Sequence, residues 1–243
     1  RNLPVFMDIV NMNVDKNGIY IQGMDNSHVS LFELNLTNDW FDSFETDIKY
    51  VLGIHCATFY KVIQCLEDSE QVLKLKYSGG DSLNVSLEGS SHINKYFELP
   101  LVDIDVDILQ LPLTEYGVDM EIKSGAITNY INQLMIFDEN FTIKCSQDSI
   151  IMKSKSESGS MSIEMSEDSI MLYAIEEELE LEQYFALTYI KNMCSFAKTT
   201  QSIVLSLKDD TPLRFHQSFD EVDIFENSKS YMRFYVAPKI FDD

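Results

Sequence analysis

The chain has 243 residues, of which 45% are hydrophobic and 24% charged, which is ordinary for a water-soluble globular protein with room for two domains of about 120 residues or one large one. No apolar run approaches the roughly 20 residues needed to span a bilayer, so a helical membrane protein is not expected. The 40 acidic side chains outnumber the 18 lysines and arginines to give a net charge of −22, a balance that repels nucleic acid at long range and speaks, for the average surface, against DNA binding.

In chain order, the first signal is the strand Val10–Val14, which alternates apolar and polar residues, followed by the turn Asp15-Lys16-Asn17-Gly18-Ile19. Helical spacing first appears over Cys56–Leu66, with Phe59, Val62, Ile63 and Leu66 on one side. Strands Leu73–Tyr77 and Leu83–Leu87 follow. Leu101 to Tyr116 then alternates acidic and aliphatic residues and meets a proline at Pro112, which reads as an extended connector. Beyond it a helix is expected over Ala126–Phe137, carrying Ile127, Tyr130, Ile131 and Leu134. After a turn at Ser146-Gln147-Asp148-Ser149-Ile150 and a strand at Met161–Met165, the acidic run Glu176–Glu182 reads as a solvated loop or strand entry. A third helix, Phe185–Ala197, with Tyr189, Ile190, Met193 and Phe196, precedes the strand Ile203–Leu207. Many strands with few short helices imply an α+β, β-rich fold.

Two of these patterns occur twice. The turn at Asp15–Ile19 returns as Ser146–Ile150, and the order helix then strand over Cys56–Tyr77 returns over Phe185–Leu207 at a similar offset. The chain therefore reads as two copies of one unit, residues 1–100 and 117–243, joined by the connector 101–116.

Cys56, Cys65, Cys145 and Cys194 are scattered without a Cys-x-x-Cys pair, and each sits among apolar residues, so a reducing intracellular compartment is expected. No secretory leader is visible at Arg1. The three glycosylation sequons, at Asn35, Asn84 and Asn140, are expected to be coincidental. Catalytic signatures are missing: there is no Gly-x-Ser-x-Gly elbow, Walker A loop, His-Glu-x-x-His or Rossmann glycine pattern. The histidines His28, His55, His92 and His216 do not fall at metal-ligand spacing with any cysteine. Asp103, Asp105 and Asp107 share one face of an extended segment, which is read as a solvated face in preference to a cation site. No metal, cofactor or enzymatic activity is expected.

Three segments carry a family resemblance. Met24-Asp25-Asn26-Ser27-His28-Val29-Ser30-Leu31 resembles the MDSSHVSL signature of sliding clamps of the proliferating cell nuclear antigen (PCNA) family. Leu101–Tyr116 resembles the interdomain connector of those clamps, and Phe234-Tyr235-Val236-Ala237-Pro238-Lys239-Ile240 resembles their YYLAPKI. The resemblance implies the DNA-clamp fold and a pocket for the client motif PIP (Gln-x-x-aliphatic-x-x-aromatic-aromatic), whose apolar side chains act as a buried plug. Carried over position by position, the pocket would use Met24, His28, Val29, Leu109, Leu111, Pro112, Pro212, Tyr235, Val236, Ala237 and Pro238.

Duplex DNA in such clamps is touched at its phosphates by basic residues lining the hole, so a small basic stripe can coexist with an acidic outside. Here the matching lysines are Lys61 and Lys198, with Lys191 two helical turns before Lys198 and so expected on its face. The second helix offers Asn129, Asn132 and Gln133 where relatives often carry arginine, so contact with DNA should be weak and strongly salt-dependent. Relatives also carry a strand and a lysine-bearing helix before the position matching Arg1. The lysine that relatives use for ubiquitin-type modification is matched by Ile151, and Lys153 nearby does not inherit that role.

Ring closure in the family pairs edge strands head to tail, matched here by Ile93–Leu99 and Ser160–Ser166. The resemblance thus implies a homotrimeric processivity factor that encircles duplex DNA, tethers DNA polymerase and other replication and repair proteins, and is opened by a clamp loader. It would work in the nucleus or, for a viral protein, in the compartment where viral DNA is copied. The alternatives are a clamp-like PIP-binding scaffold that closes poorly on DNA and, from another class, an acidic hydrolase using paired carboxylates.

Overall fold

A computed structural model describes residues 7–67, 70–89, 93–220 and 228–240; Arg1 and His92, considered above, lie outside the described residues. The chain divides into two compact units. One comprises the described residues through Asn26 together with Leu36–Leu109, and the other Ser27–Asn35 with the described residues from Gln110 onward.

In the first unit, β1 (Ile9–Asp15) forms a hairpin with β2 (Gly18–Met24) and pairs on its other side with β4 (Tyr50–His55). The hairpin closes because Asn17 N–H donates to Asp15 Oδ1 at 2.8 Å and Gly18 adopts φ +141°, where a side chain would collide with the Leu36 carbonyl. Alternation along β1 sends Val10 and Met12 into the core and leaves Asn11 and Asn13 on the other face. Helix α1 (Cys56–Ile63) follows β4 directly and buries Cys56 and Val62. It stops short of the expected Leu66, because the tightened bonds from Cys65 N–H to Val62 O and Leu66 N–H to Ile63 O end the α-helical ladder. A second sheet runs β5 (Val72–Lys76), β6 (Ser82–Glu88), β7 (Lys95–Pro100), with Leu83, Val85 and Leu87 of the middle strand fully buried.

The second unit repeats this plan. β9 (Asn140–Cys145), β10 (Ile150–Ser156), β11 (Gly159–Met165) and β13 (Leu181–Ala186) lie in the order β11-β10-β9-β13, so β10-β9-β13 corresponds to β2-β1-β4. Helix α3 (Leu187–Cys194) follows β13 as α1 follows β4. Strands β14 (Ser202–Leu207), β15 (Leu213–Ser218) and β16 (Tyr231–Val236) then correspond to β5-β6-β7, with β8 (Val118–Lys123) and β12 (Leu172–Ile175) added beside β14. β3 (Ser30–Thr37) pairs with β16 through residues 30–35. Helix α2 (Ser124–Leu134) packs beside α3, and Ile127, Ile131 and Leu134 are fully buried beneath it. These elements give the expected α+β fold, rich in antiparallel sheet.

Between Leu101 and Tyr116 there is no regular element, and the two compact units divide within this segment, after Leu109. The acidic run is a bend that leads into β13, with Glu176, Glu177, Glu178, Glu180 and Glu182 all exposed. All four cysteines are free; Cys56, Cys145 and Cys194 are buried and Cys65 half-buried. Among the described residues no helix is long and apolar enough to cross a membrane, and no three metal-ligating side chains gather.

Candidate partner-docking site

The register of β3 against β16 explains why two motifs some two hundred residues apart belong together. Ser30 lies opposite Val236, Leu31 opposite Tyr235, Phe32 opposite Phe234 and Glu33 opposite Arg233. Just past the strand ends, Ala237 N–H donates to Val29 O at 2.9 Å. Phe32, Phe234 and Phe196 lock this pairing from the core side, with ring centroids 5.1–6.2 Å apart. Val29–Glu33 of the first motif and Arg233–Ala237 of the C-terminal segment therefore run side by side on adjacent strands. Pro212 joins them, because β15 places Leu213 opposite Val236.

His28 is exposed and left-handed (φ +57°), a conformation histidine tolerates better than a β-branched residue, and it turns the chain into β3. Val29, Ala237, Pro238 and Tyr235 are half-buried, and Leu111, Pro112 and Pro212 are exposed. Val236 is 0% exposed, since alternation along β16 directs its side chain with Met232 and Phe234 into the core. Beyond the motif, Lys239 fastens the chain to β13, its N–H on Tyr184 O at 2.7 Å and its ammonium on Asn140 Oδ1 at 2.9 Å.

The other two expected residues, Met24 and Leu109, belong to the first unit, where Met24 is half-buried and Leu109 is 47% exposed. There the connector is strapped down by groups that the sequence did not single out. Asn11 Nδ2 donates to Ile104 O at 3.0 Å, Val102 N–H donates to Gly53 O at 2.9 Å, and Gln22 holds Leu109 by both backbone groups. In the second unit the end of the connector is held by Tyr116, whose ring lies 4.3 Å under the Arg214 guanidinium. Arg214 bonds Ser206 Oγ through Nε and Nη2 and lies 3.6 Å from Asp119 Oδ1.

Lys61 on α1, Lys191 on α3 and Lys198 are all exposed. Lys191 and Lys198 do not share a helical face, contrary to expectation. α3 ends at Cys194, Phe196 turns into the aromatic cluster, and Lys198 sits in a separate 3-10 turn, Ala197–Thr199. α2 carries no basic residue, and Asn129 and Asn132 are exposed on it. β7 and β11, over the segments matched to ring closure, are the outermost strands of their sheets among the described residues.

Comparison with known proteins agrees with this architecture. The profile described as "Proliferating cell nuclear antigen, N-terminal domain" matches residues 3–110. Over 241 residues the chain is 30% identical to the proliferating cell nuclear antigen of Chaetomium thermophilum, covering 96% of this chain and 90% of that one. It is 28% identical over 233 residues to proliferating cell nuclear antigen 2 of Drosophila melanogaster (95% and 88% covered). To the probable DNA polymerase sliding clamp 2 of Paramecium bursaria Chlorella virus 1 it is 27% identical over 237 residues (98% and 84% covered). The repeated unit and the joined motifs thus define a clamp fold. The chain belongs to the proliferating cell nuclear antigen family.

Proposed function

We propose that the chain is a sliding clamp and DNA polymerase processivity factor, a scaffold that makes and breaks no bond and holds replication proteins on duplex DNA. The observation that carries this reading is the β3–β16 register, which sets the His28–Val29 turn beside Tyr235–Pro238. In this reading the residues matched to the family pocket receive PIP-motif peptides, and β7 of one copy pairs with β11 of the next to close a homotrimer. A loader opens the ring, and the protein works where DNA is replicated, in a nucleus or a viral replication compartment.

Calorimetric titration with a PIP peptide tests the docking residues, and light scattering tests the ring. The reading predicts saturable peptide binding and a mass near three chains; a monomer at micromolar concentration that ignores the peptide would sink it. The second reading, a PIP-binding scaffold that closes poorly on DNA, is favoured by the absence of any basic residue on α2. Loading onto nicked circular DNA, followed by release on linearisation, separates the two.

A further inference from the structure

Tyr235 does not merely lie at the docking edge; its hydroxyl is committed. The phenol donates to Glu33 Oε2 at 3.0 Å, and Glu33 is only 6% exposed. Arg233 faces Glu33 in the β3–β16 register. Its Nε in turn donates to His216 Nδ1 at 3.0 Å, and its guanidinium lies 3.9 Å over the Tyr231 ring. His216 Nε2 lies 3.4 Å from Ser228 Oγ, so the imidazole is braced on both sides.

A carboxylate this deep is expensive to desolvate, and an apolar side chain would fill the same strand position without that cost. What the carboxylate adds is direction. An ionised carboxylate only accepts, so the Tyr235 O–H has to point at it, and the bond to Oε2 limits where the tyrosine ring can sit. Burial and the negative charge of Glu33 raise the titration of Tyr235 far above its ordinary range, so the phenol keeps its proton.

We propose that Glu33 is a positioning residue for client docking, fixing through the Tyr235 hydroxyl the ring that an apolar client side chain meets. The inference rests on the docking reading above. A ring held in its bound attitude loses little freedom when a peptide arrives, which is preorganisation in its ordinary sense.

The test is calorimetric titration of the intact chain with a PIP-motif peptide for wild type, Tyr235→Phe, Glu33→Gln, Glu33→Leu and the double variant Tyr235→Phe with Glu33→Leu, each checked by thermal unfolding. Tyr235→Phe, which deletes one oxygen and takes a donor from the buried Glu33 carboxylate, is expected to weaken affinity roughly tenfold and to lower the melting temperature by a few degrees while the chain still folds. Glu33→Gln, whose amide oxygen still accepts, should stay within roughly threefold of wild type. The double variant should bind no worse than Glu33→Leu, since both changes remove one hydrogen bond. Wild-type affinity in Tyr235→Phe overturns the proposal, as does a Glu33→Gln loss equal to that of Glu33→Leu. If Glu33→Leu does not fold, Tyr235→Phe and Glu33→Gln decide. Wild-type protein that ignores the peptide defeats the docking reading and this proposal together, whereas wild-type binding with unaffected variants defeats only the role of Glu33.

Discussion

The carboxamide of Gln22 grips the backbone of Leu109 at both ends, Nε2 donating to its carbonyl at 3.0 Å and Oε1 accepting its N–H at 2.7 Å. The side chain thereby completes for the connector the pair of bonds that a neighbouring strand would have supplied. Nε2 also reaches Tyr20 Oη at 3.0 Å, so the amide is itself held.

Gln22→Ala should therefore free Leu109 without disturbing the core. The bonds are exposed and worth about 1 kcal/mol each. Backbone hydrogen exchange at Leu109 should rise by an order of magnitude, as measured by NMR. Peptide affinity should fall severalfold in calorimetry. Unchanged exchange at Leu109 would show that the connector is fixed by something else.

Gly53 is another place where the connector depends on one residue of the first unit. A Cβ there would stand 1.9 Å from Val102 O and 3.0 Å from its carbonyl carbon, so the contact leaves no room for a methyl group. Gly53→Ala has to push the start of the connector away and loses the Val102 N–H bond to Gly53 O. A stability loss of about 1–3 kcal/mol in urea unfolding is expected. Gly125→Ala, where a Cβ meets nothing within 4 Å, serves as the control.

What the sequence shows of this architecture is whatever repeats locally. Alternation identified β1, β6, β11 and β14, and the turn at Asp15–Ile19 matched the one at Ser146–Ile150 because a hairpin is specified within a few residues. Helix ends were less legible: Phe196 has helical spacing from Tyr189 and Met193, yet its ring packs on Phe32 and Phe234, and tertiary packing overrides the periodicity. The same limit applies to Val236, whose place in a matched motif says nothing about which face of β16 it occupies. Gln22, Asn11 and Glu33 left no local signal at all. Their partners lie 87, 93 and 202 residues away, so only the folded register brings each to its acceptor or donor.

His216 makes a prediction about pH. It is 1% exposed, and burial, reinforced by Arg233 and Arg214, lowers its pKa from 6.5 to about 3. Between those values the unfolded chain binds a proton that the folded chain refuses, so stability is lost as pH falls through that window. From pH 7 to pH 5 this one group should remove about 2 kcal/mol of unfolding free energy. His216→Gln, which cannot titrate, should show a correspondingly flatter dependence in urea melts at those two pH values. Parallel curves for the two proteins would mean that His216 is not held neutral in the folded state.

The scarcity of lysines at the positions proposed to meet DNA leads to the last prediction, which concerns α2. With Lys61, Lys191 and Lys198 exposed and none on α2, a chain of net charge −22 has little to hold phosphates against its own repulsion. Affinity for duplex DNA should accordingly be low and fall steeply with salt, with a slope near −0.9 for each phosphate neutralised. Asn129→Lys with Asn132→Lys adds two charges at exposed helical positions and is expected to tighten binding and steepen that slope. Lys61→Ala with Lys198→Ala should do the opposite while leaving peptide affinity untouched. Fluorescence anisotropy on labelled duplex across a salt series measures both. If the added lysines change neither affinity nor slope, α2 does not face DNA, and the net charge of the chain governs what it binds.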